Sequence, residues 1–390
     1  MTPAARIAAA ADLLDQILAG QAAEKTLIAW ARRSRFAGSK DRAAVRDLVF
    51  DALRCRRSQA WLGGEESGRG LMLGALLEAG QDPATVFTGE GHAPAPLSDE
   101  EAARIAAAPD LAEAPAAVAA DMPDWLWPSL HDALGPQAEA VCATLRRRAP
   151  VFLRVNLRKG DRSAAQASLA TEGIVTQPHT DVATALHVTE GARRVAQSAA
   201  YREGLVELQD AASQAVTEAL PLRDGMRVLD YCAGGGGKTL AMAARVRADF
   251  TAHDANPGRL TDLPARADRA GVYVTLSEEP QGPYDLVLCD VPCSGSGSWR
   301  RAPEGKWLLT EAGLAQLTRT QDAILDQVTD RVAPQGTLAY VTCSLLRTEN
   351  EDRAAAFLAR HPDWQMAEER RWTPGEDGDG FYLARFTRTP

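Results

Sequence analysis

Arg227-Val-Leu-Asp-Tyr-Cys-Ala-Gly-Gly-Gly-Gly-Lys238 is the stretch that decides the fold class of this chain. It begins with residues that suit a strand, breaks on four glycines, and continues into Thr-Leu-Ala-Met-Ala-Ala-Arg-Val, which forms a helix readily. An open α/β sheet builds nucleotide-sized sites from a strand, a glycine turn and a helix in this order. Glycines let the backbone pass close to a ligand, and the new helix offers unpaired N–H groups. The stretch therefore predicts an α/β domain with a ligand at this turn.

Two common nucleotide-binding motifs do not fit the spacing of these glycines. A phosphate-binding loop needs Gly-x-x-x-x-Gly-Lys-Thr. Gly237-Lys238-Thr239 supplies the second half of that motif, but Cys232 stands where the first glycine belongs. The dinucleotide fingerprint Gly-x-Gly-x-x-Gly also fails, because Gly234 and Gly236 would need a third glycine at position 239.

S-adenosylmethionine is the remaining common ligand of such a turn, and it has no phosphates to hold. It needs a glycine turn beside its amino-acid end and a carboxylate at the end of the next strand for its ribose hydroxyls. Asp254 closes the predicted strand 249–254. It lies about 20 residues past the glycines, where a ribose partner belongs. The sequence therefore favours S-adenosylmethionine as cofactor.

The composition of the 390 residues suits a protein of two or three domains with 45% hydrophobic residues. No apolar run approaches the ~20 residues of a membrane span, and no signal peptide is visible at the N-terminus. Six cysteines are scattered along the chain, which indicates reduced thiols and a cytoplasmic protein. Cys289 and Cys293 are close, but no Cys/His set with ligand spacing accompanies them, so no metal is expected.

The net charge of −9 hides a strong segregation of charge along the chain. Residues 25–57 carry ten basic side chains against three acidic ones, whereas residues 78–124 carry ten acids and one arginine. Screening confines exposed charges to about 8–10 Å, so local sign matters more than the total for a polyanion such as RNA. The basic block therefore favours RNA, with a solvated helix surface as the alternative. A second basic cluster, also a candidate RNA surface, comprises Arg146, Arg147, Arg148, Arg154, Arg158 and Lys159.

Hydrophobic periodicity divides the chain into four parts: a helical domain at 1–80, an Ala/Pro/acidic linker at 81–122, a small α+β connector at 123–208, and an α/β domain at 209–390. In the last part, strands are predicted at 226–231, 249–254, 271–276, 284–290 and 336–342. Helices are predicted at 238–247, 258–270, 310–332 and 348–360. Pro334-Gln-Gly336 is predicted to be a turn, and residues 380–386 a final antiparallel strand at the edge of the sheet.

Three side chains with chemical potential follow predicted strands of this domain. Asp290 and Cys293 follow the fourth strand, and Cys343 follows the fifth. Because carboxyl ends of parallel strands carry the site in open α/β sheets, we expect these side chains beside the glycine turn. Each thiol alone could equally be a small buried apolar residue, but two thiols and an acid beside a cofactor turn indicate a functional site.

Two thiols and an acid beside a methyl donor suit methylation of a weakly nucleophilic carbon such as C5 of a pyrimidine. A thiolate that adds to C6 makes C5 able to attack the methyl group. An acid at the N3/N4 edge stabilises the developing charge, a base removes the C5 proton, and elimination frees the enzyme. The residues themselves do not rank the two thiols.

At these positions the sequence resembles the RsmB/Sun-type RNA (cytosine-5)-methyltransferases. The resemblance rests on the following motifs: Asp-Val-Pro-Cys-Ser-Gly at 290–295, Val-Thr-Cys-Ser at 341–344, Glu349-Asn-Glu351, Leu208-Gln-Asp-Ala-Ala-Ser213, Leu153-Arg-Val-Asn156 and Gly378-Asp-Gly-Phe-Tyr-Leu-Ala-Arg385. Residues 5–62 are similar to the NusB-like helical RNA-binding domain of the bacterial branch. The resemblance implies a Rossmann-like class I methyltransferase domain, preceded by an all-α NusB-like domain and a small α+β connector.

The resemblance also implies roles for individual residues. Cys343 would be the nucleophile, Cys293 the thiol that helps release product, and Asp290 a contact to the cytosine or the methyl donor. The residues implied to hold the cofactor are Cys232, Ala233, Gly234, Gly235, Gly236, Gly237, Lys238, Asp254 and Asp290.

Two features depart from the family pattern. The family commonly has proline where this chain has Gly235, which should loosen the turn. The family's adenine-facing acid has no clean match, with Ser277 and Glu278 the nearest residues.

The expected protein is a cytoplasmic, monomeric enzyme that uses S-adenosylmethionine and no metal, with ribosomal RNA as partner and no membrane. A non-catalytic RNA-binding ribosome-assembly factor, or a methyltransferase for a non-RNA substrate, are the alternatives. The sequence does not identify the RNA or the cytosine.

Overall fold

The structure is a computed structural model and describes residues 1–107 and 109–389. It contains two compact units. The first comprises Met1–Arg148 with Trp299–Leu308, and the second comprises Ala149–Ser298 with Leu309–Pro390. The boundaries predicted at 80, 122 and 208 stay predictions.

The helices before residue 149, numbered along the chain, lie in the first unit and are α1 (Pro3–Leu18), α2 (Ala23–Arg33), α3 (Ser39–Arg54), α4 (Arg56–Gly63), α5 (Gly68–Glu78), α6 (Asp99–Ala106), α7 (Ala116–Ala119), α8 (Trp127–Leu134) and α9 (Ala138–Leu145). The remaining helices are α10 (Arg162–Thr171), α11 (Ala199–Arg202), α12 (Ala211–Glu218), α13 (Gly237–Arg245), α14 (Leu263–Ala270), α15 (Glu304–Leu308), α16 (Glu311–Val328) and α17 (Glu351–Arg360).

The strands all lie in the second unit. They are β1 (Val151–Val155), β2 (Val175–Pro178), β3 (Ala185–Glu190), β4 (Val206–Leu208), β5 (Arg227–Asp230), β6 (Asp249–Ala252), β7 (Thr275–Leu276), β8 (Tyr284–Asp290), β9 (Val332–Thr342), β10 (Trp364–Trp372) and β11 (Phe381–Arg388).

The core of the first unit forms from one apolar stripe on each of its long helices. Leu13 and Leu14 of α1 and Val45 and Val49 of α3 are each at most 1% exposed. They pack in one cluster with Leu71 of α5. Residues three or four apart share a helix face, so the spacing of these side chains made both stripes visible in the sequence. The predicted helical character of this part is confirmed.

Asp121 anchors the acidic stretch that follows α5. Its side chain is fully buried and accepts hydrogen bonds from Ser58 N at 2.9 Å and Ser58 Oγ at 2.8 Å. Arg146 Nε lies 2.7 Å from Asp121 Oδ2, the oxygen that also accepts from Ser58 Oγ. The stretch 81–122 also contains α6 and α7, so it has more structure than a linker would need.

Residues 299–308 belong to the helical unit, although they lie in sequence between two strands of the α/β unit. Trp307 Nε1 donates to Leu53 O at 2.7 Å, and Arg54 Nε donates to Arg300 O at 2.7 Å. Lys306 is 1% exposed and donates to Arg54 O at 3.2 Å. Local sequence patterns do not reveal this packing, because it depends on partners about 250 residues away.

The second unit contains two sheets. The smaller has the order β2-β3-β1-β4 with antiparallel pairs, and the larger has the order β10-β11-β9-β8-β5-β6-β7. In the larger sheet β5 to β9 pair in parallel, whereas β10 and β11 are antiparallel. The predicted α/β architecture is confirmed, and β8 lies between β5 and β9 as expected.

Two sequence predictions about the end of this sheet are wrong. The last strand, β11, is antiparallel but lies inside the sheet, because β10 covers it at the edge. Pro334-Gln-Gly336 lies within β9, where the pairing with β8 shifts register, and does not form a separate turn. A register shift allows the proline into a strand, since the ladder is interrupted there.

Within residues 1–107 and 109–389, no helix combines the length and apolar character needed to cross a membrane.

Candidate active site

The glycine turn between β5 and α13 has the backbone geometry that only glycine adopts readily. Gly234 has φ +52° and Gly236 has φ +78°. A Cβ atom on Gly236 would lie 2.2 Å from Leu263 Cδ1, so the turn also needs the missing side chain there. Gly235 accepts a hydrogen bond from Arg266 through its carbonyl oxygen. The turn is therefore fixed by close packing despite its four glycines.

Ala233 and Gly237 complete the turn. Ala233 N donates to His253 O at 2.8 Å, which joins the turn to the end of β6. Gly237 begins α13, and its carbonyl oxygen accepts from Arg154 Nη1 at 2.9 Å. Arg154 is only 4% exposed, and burial lowers its pKa to about 10. This side chain therefore supports the turn and is unavailable as the RNA contact that the sequence suggested.

The neighbouring cations of that predicted basic cluster are also engaged inside the protein. Arg158 donates to Ala243 O at 2.7 Å, near the C-terminal end of α13, and Lys159 donates to Glu203 O at 2.7 Å. Cations near a helix C-terminus satisfy its free carbonyl groups. In the second candidate RNA surface, Arg154, Arg158 and Lys159 therefore bind backbone oxygen atoms of the protein itself.

Asp254 holds the glycine turn as well as facing the cavity beside it. Its Oδ2 accepts from Gly234 N at 2.9 Å, and its Oδ1 accepts from Asn256 N at 2.9 Å. Arg259 Nη1 lies 3.3 Å from Oδ2. The carboxylate is 5% exposed. It therefore lies at the end of β6, next to the turn, where the sequence placed it.

A cavity of about 260 Å³ opens beside Asp254. Its lining residues are Asp254, Pro257, Leu260, Thr261, Pro264, Leu276, Ser277 and Glu278. Apolar walls with a few polar groups at one end are typical of small-molecule sites. Ser277 and Glu278, which the sequence left without a role, both line this cavity directly after β7.

Lys238 and Asp290 form an ion pair between the glycine turn and the end of β8. Lys238 Nζ donates to Asp290 Oδ2 at 2.7 Å, and the ammonium lies 4.8 Å from the centre of the Phe381 ring. Burial of Lys238 disfavours its charged form, but the carboxylate of Asp290 outweighs this and raises the pKa of Lys238. The site therefore contains a buried, charged lysine.

Asp230, at the end of β5, is a buried carboxyl group that the sequence analysis missed. It is 1% exposed, and its Oδ2 accepts from Thr239 Oγ1 at 2.7 Å. Burial raises its pKa to about 7, and the nearby charge of Asp290 adds to the shift. Its position at a strand end, in Asp-Tyr-Cys, was the available signal.

Cys293 and Cys343 lie side by side, with their sulfur atoms 3.4 Å apart. Both are half-buried. The hydrogen bond with the Cys293 thiol lowers the pKa of Cys343, with smaller help from Lys238 and Ser298, whereas burial and the charge of Asp290 oppose the shift. The contact with Cys343 and burial together raise the pKa of Cys293 well above its usual value. The contact between the two sulfur atoms therefore shifts the two pKa values in opposite directions.

The structure thus brings together most of the side chains that the sequence singled out. Asp290 pairs with Lys238 of the glycine turn, and the charges of both act on Cys343. Cys232 is a half-buried thiol whose pKa is raised by burial, so it is unreactive by comparison. Across the described part of the chain, no group of three or more His, Cys, Asp or Glu side chains has the arrangement of a metal site.

The larger sheet, with its glycine turn after β5, has the fold of Rossmann-like methyltransferases. Two solved structures share this fold. PH0851 superposes with a TM-score of 0.76 at 20% identity and covers 100% of this chain and 99% of its own. NSun6 from Pyrococcus horikoshii with SFG superposes with a TM-score of 0.62 at 17% identity over 69% of this chain and 99% of its own.

Sequence comparison then gives the family. Residues 217–387 match the model of the 16S rRNA methyltransferase RsmB/F, and residues 122–196 match that of the ferredoxin-like domain of RsmF/B-like methyltransferases. Ribosomal RNA small subunit methyltransferase B of Salmonella typhi is 33% identical over 284 residues. That match covers 68% of this chain and 66% of the relative, slightly less than two thirds of its length. The chain belongs to the RsmB/F family.

Proposed function

We propose that this chain transfers a methyl group from S-adenosylmethionine to C5 of a cytosine in RNA, and that the RNA is ribosomal. The observation that carries the proposal is the pair of sulfur atoms 3.4 Å apart at the ends of β8 and β9. A methyltransferase that acts on an already nucleophilic nitrogen or oxygen needs no thiol, whereas C5 of a pyrimidine must first be activated. Family membership and the ribosomal RNA methyltransferase of Salmonella typhi support the same substrate.

The residues of the glycine turn and the cavity beside it fit the methyl donor. The turn at Cys232–Lys238 would hold the amino-acid end, and Asp254 would bind the ribose hydroxyls. The apolar walls formed by Leu260 and Leu276 suit a purine ring. When bound, the cofactor supplies an electrophilic methyl group on a sulfonium. Apart from Lys238, the glycine turn has no charged side chain. A turn of this kind suits a cofactor that carries no phosphates.

Cys343 is the proposed nucleophile, as the family resemblance implies, and the direction of its pKa shift agrees with that role. The Cys343 thiolate adds to C6 of the cytosine, a carbon–sulfur bond forms, and the electron pair of the C5–C6 double bond moves toward C5 and the ring. C5 would then be nucleophilic enough to accept the methyl group that a cofactor held by the glycine turn and Asp254 would supply, and the demethylated cofactor would be the leaving group. We place Asp290 at the N3/N4 edge of the base, where it orients the ring.

Cys293 is proposed to complete the reaction. Once the sulfur of Cys343 is bonded to C6, it no longer carries a negative charge beside the Cys293 thiol. Cys293 can then release its proton to water. The Cys293 thiolate then takes the proton from C5, the C5–C6 double bond re-forms, and the bond from C6 to Cys343 breaks. One proton is released per methyl group transferred.

Replacement of each thiol distinguishes these roles. Cys343→Ala should reduce transfer of tritium from methyl-labelled S-adenosylmethionine to unmodified ribosomal RNA to background, because no adduct forms. Cys293→Ala should instead accumulate a covalent protein–RNA adduct that resists denaturing gel electrophoresis. Cys142→Ala, at a buried thiol of the helical unit, is the matched control and should behave as the unaltered protein.

Three results would contradict the proposal. An adduct with Cys343→Ala would reverse the two thiols, tritium in protein alone would exclude RNA as substrate, and full activity without both thiols would remove the covalent route. Bisulfite mapping of ribosomal RNA from cells with and without the protein would locate the modified cytosine.

A further inference from the structure

Glu349 is a fully buried carboxylate in the short turn between β9 and α17. Its two oxygen atoms accept four hydrogen bonds. Ser294 donates both its N–H at 2.8 Å and its hydroxyl at 2.5 Å, Ser344 Oγ donates at 2.5 Å, and Gln321 Nε2 donates at 3.0 Å. A carboxylate offers about four acceptor sites, so the bonding capacity of Glu349 is filled.

Two of these partners are the residues that directly follow the thiols. Ser294 follows Cys293 in the loop after β8, and Ser344 follows Cys343 in the loop after β9. A single carboxylate therefore binds both loops one residue away from each sulfur atom. Since the two loops come from different strands, this carboxylate links them beyond the last residues that pair in the sheet.

Further hydrogen bonds make the link rigid. Ser296 Oγ lies 3.1 Å from Ser344 Oγ and accepts from Leu345 N at 2.7 Å. Asn350 accepts from Thr342 Oγ1 at 2.6 Å and donates to Ser344 O at 2.9 Å. The backbone oxygen of Glu349 itself accepts from Tyr340 OH at 2.5 Å. Charged hydrogen bonds in a buried network fix geometry strongly, because an unmade bond there is costly.

We infer that Glu349 is a positioning residue that holds the two thiols at their working separation. It does not touch the substrate, because it is buried and its oxygen atoms are fully bonded. The part of the inference that concerns catalysis rests on the proposed function. The part that concerns geometry does not, because the distance between two sulfur atoms can be probed without RNA or cofactor.

Oxidation by diamide measures that distance in the folded protein. Each disulfide formed releases two protons and two electrons, which reduce diamide to the hydrazine. The two sulfur atoms must approach to about 2.05 Å with the correct dihedral angle, so the rate depends steeply on how the loops are held. Glu349→Ala should slow formation of the Cys293–Cys343 disulfide about tenfold or more, as measured by mass spectrometry of the linked peptides.

Glu349→Gln is the conservative variant and should restore much of the rate. Its amide oxygen can still accept from Ser294 N and Gln321 Nε2, and its NH₂ group can donate to the two serine hydroxyls. Glu351→Gln is the matched control, because this neighbouring acid pairs with Arg371 instead, and its disulfide rate should be unchanged. Ser344→Ala, which removes one arm of the link, should slow the rate by less than Glu349→Ala.

A disulfide rate in folded Glu349→Ala equal to that of the unaltered protein would overturn the inference. If Glu349→Ala does not fold, Ser344→Ala decides, and an unchanged rate in that variant would equally contradict it. With RNA and S-adenosylmethionine, Glu349→Ala should lower kcat with little effect on KM and accumulate adduct. A slower disulfide together with no methylation of RNA by the unaltered protein would reject the proposed function and leave the geometric inference standing.

Discussion

Cys343 and Cys293 show how neighbouring atoms give two identical side chains different chemistry. The sequence locates both thiols in short motifs at strand ends. It does not show which of the two is the nucleophile. The difference arises from the hydrogen bond between the sulfur atoms and from Lys238, which lies 105 positions before Cys343 in sequence. A single sequence contains no record of such contacts, so the ranking came only from family resemblance. The lowered pKa of Cys343 agrees with it in direction.

Asp230 should make the stability of the α/β unit depend on pH. Its pKa is about 7 in the folded protein against 3.8 for the free side chain, so between these values the folded state keeps a proton that the unfolded chain releases. Raising the pH through this window therefore favours unfolding, by up to about 4 kcal/mol for a shift of this size. Asp230→Asn should remove this loss, and the midpoint of thermal unfolding should fall less between pH 5 and pH 8.

Asp249→Asn provides the comparison, because Asp249 is exposed at the start of β6. This variant should retain the pH dependence of the unaltered protein. Parallel pH profiles for Asp230→Asn and the unaltered protein would show that Asp230 is not protonated in the folded state.

At the scale of elements, position 236 of the glycine turn requires glycine for two reasons, its positive φ and its close packing against Leu263. A matched pair of variants can separate these two effects. Gly236→Ala should destabilise the α/β unit by roughly 2–4 kcal/mol, because it adds both backbone strain at positive φ and a clash with Leu263. Gly225→Ala meets positive φ with nothing within 4 Å of the added methyl, so it should cost only the strain, about 1–2 kcal/mol. Urea unfolding followed by fluorescence measures both, and equal losses would show that the clash relaxes freely.

Most elements of the larger sheet were visible in the sequence because buried parallel strands are short apolar runs bounded by turns. β10 was missed because it is an edge strand with the sequence Glu368-Glu-Arg-Arg371 at its centre, which resembles a loop. Its charges are paired across the sheet, as in the contact of Glu368 with Arg385 and the hydrogen bond from Tyr382 OH to Glu369 Oε1 at 2.6 Å. Charge on an edge strand also discourages pairing with other chains.

At the scale of the whole molecule, each of the two units consists of segments that are separate in the sequence. Residues 299–308 leave the α/β unit six positions after Cys293 and pack in the helical unit through Lys306 and Trp307. Burial lowers the pKa of Lys306 to about 8, and Asp121 opposes that shift. A sequence pattern can show that residues are apolar or charged, but not that a segment returns to an earlier unit, since that depends on contacts distant in sequence.

Nine of the ten cations in the basic block at residues 25–57 fall into two sets in the folded protein. Arg46, Arg54, Arg56 and Arg57 form ion pairs with Glu24, Asp51, Glu66 and Asp124. The cations around the turn between α2 and α3, by contrast, are exposed beside Phe36, which is 76% exposed. These are Arg32, Arg33, Arg35, Lys40 and Arg42. An exposed aromatic ring among cations is the composition of a single-stranded RNA surface, because bases stack on the ring while cations contact phosphates.

We therefore expect RNA to contact this turn. Replacing both Arg33 and Arg35 with alanine should weaken binding to unmodified ribosomal RNA and reduce the slope of log affinity against log salt by about one per lost phosphate contact. Phe36→Ala should weaken binding about tenfold without changing that slope, because stacking releases no counterions. Arg46 lies in the same unit but is already paired with Glu24. Fluorescence anisotropy should therefore show nearly unchanged affinity of Arg46→Ala for the RNA. A loss in Arg46→Ala equal to the loss per cation in the double variant, with no loss in Phe36→Ala, would mean that the net charge of the unit, and not this turn, attracts the RNA.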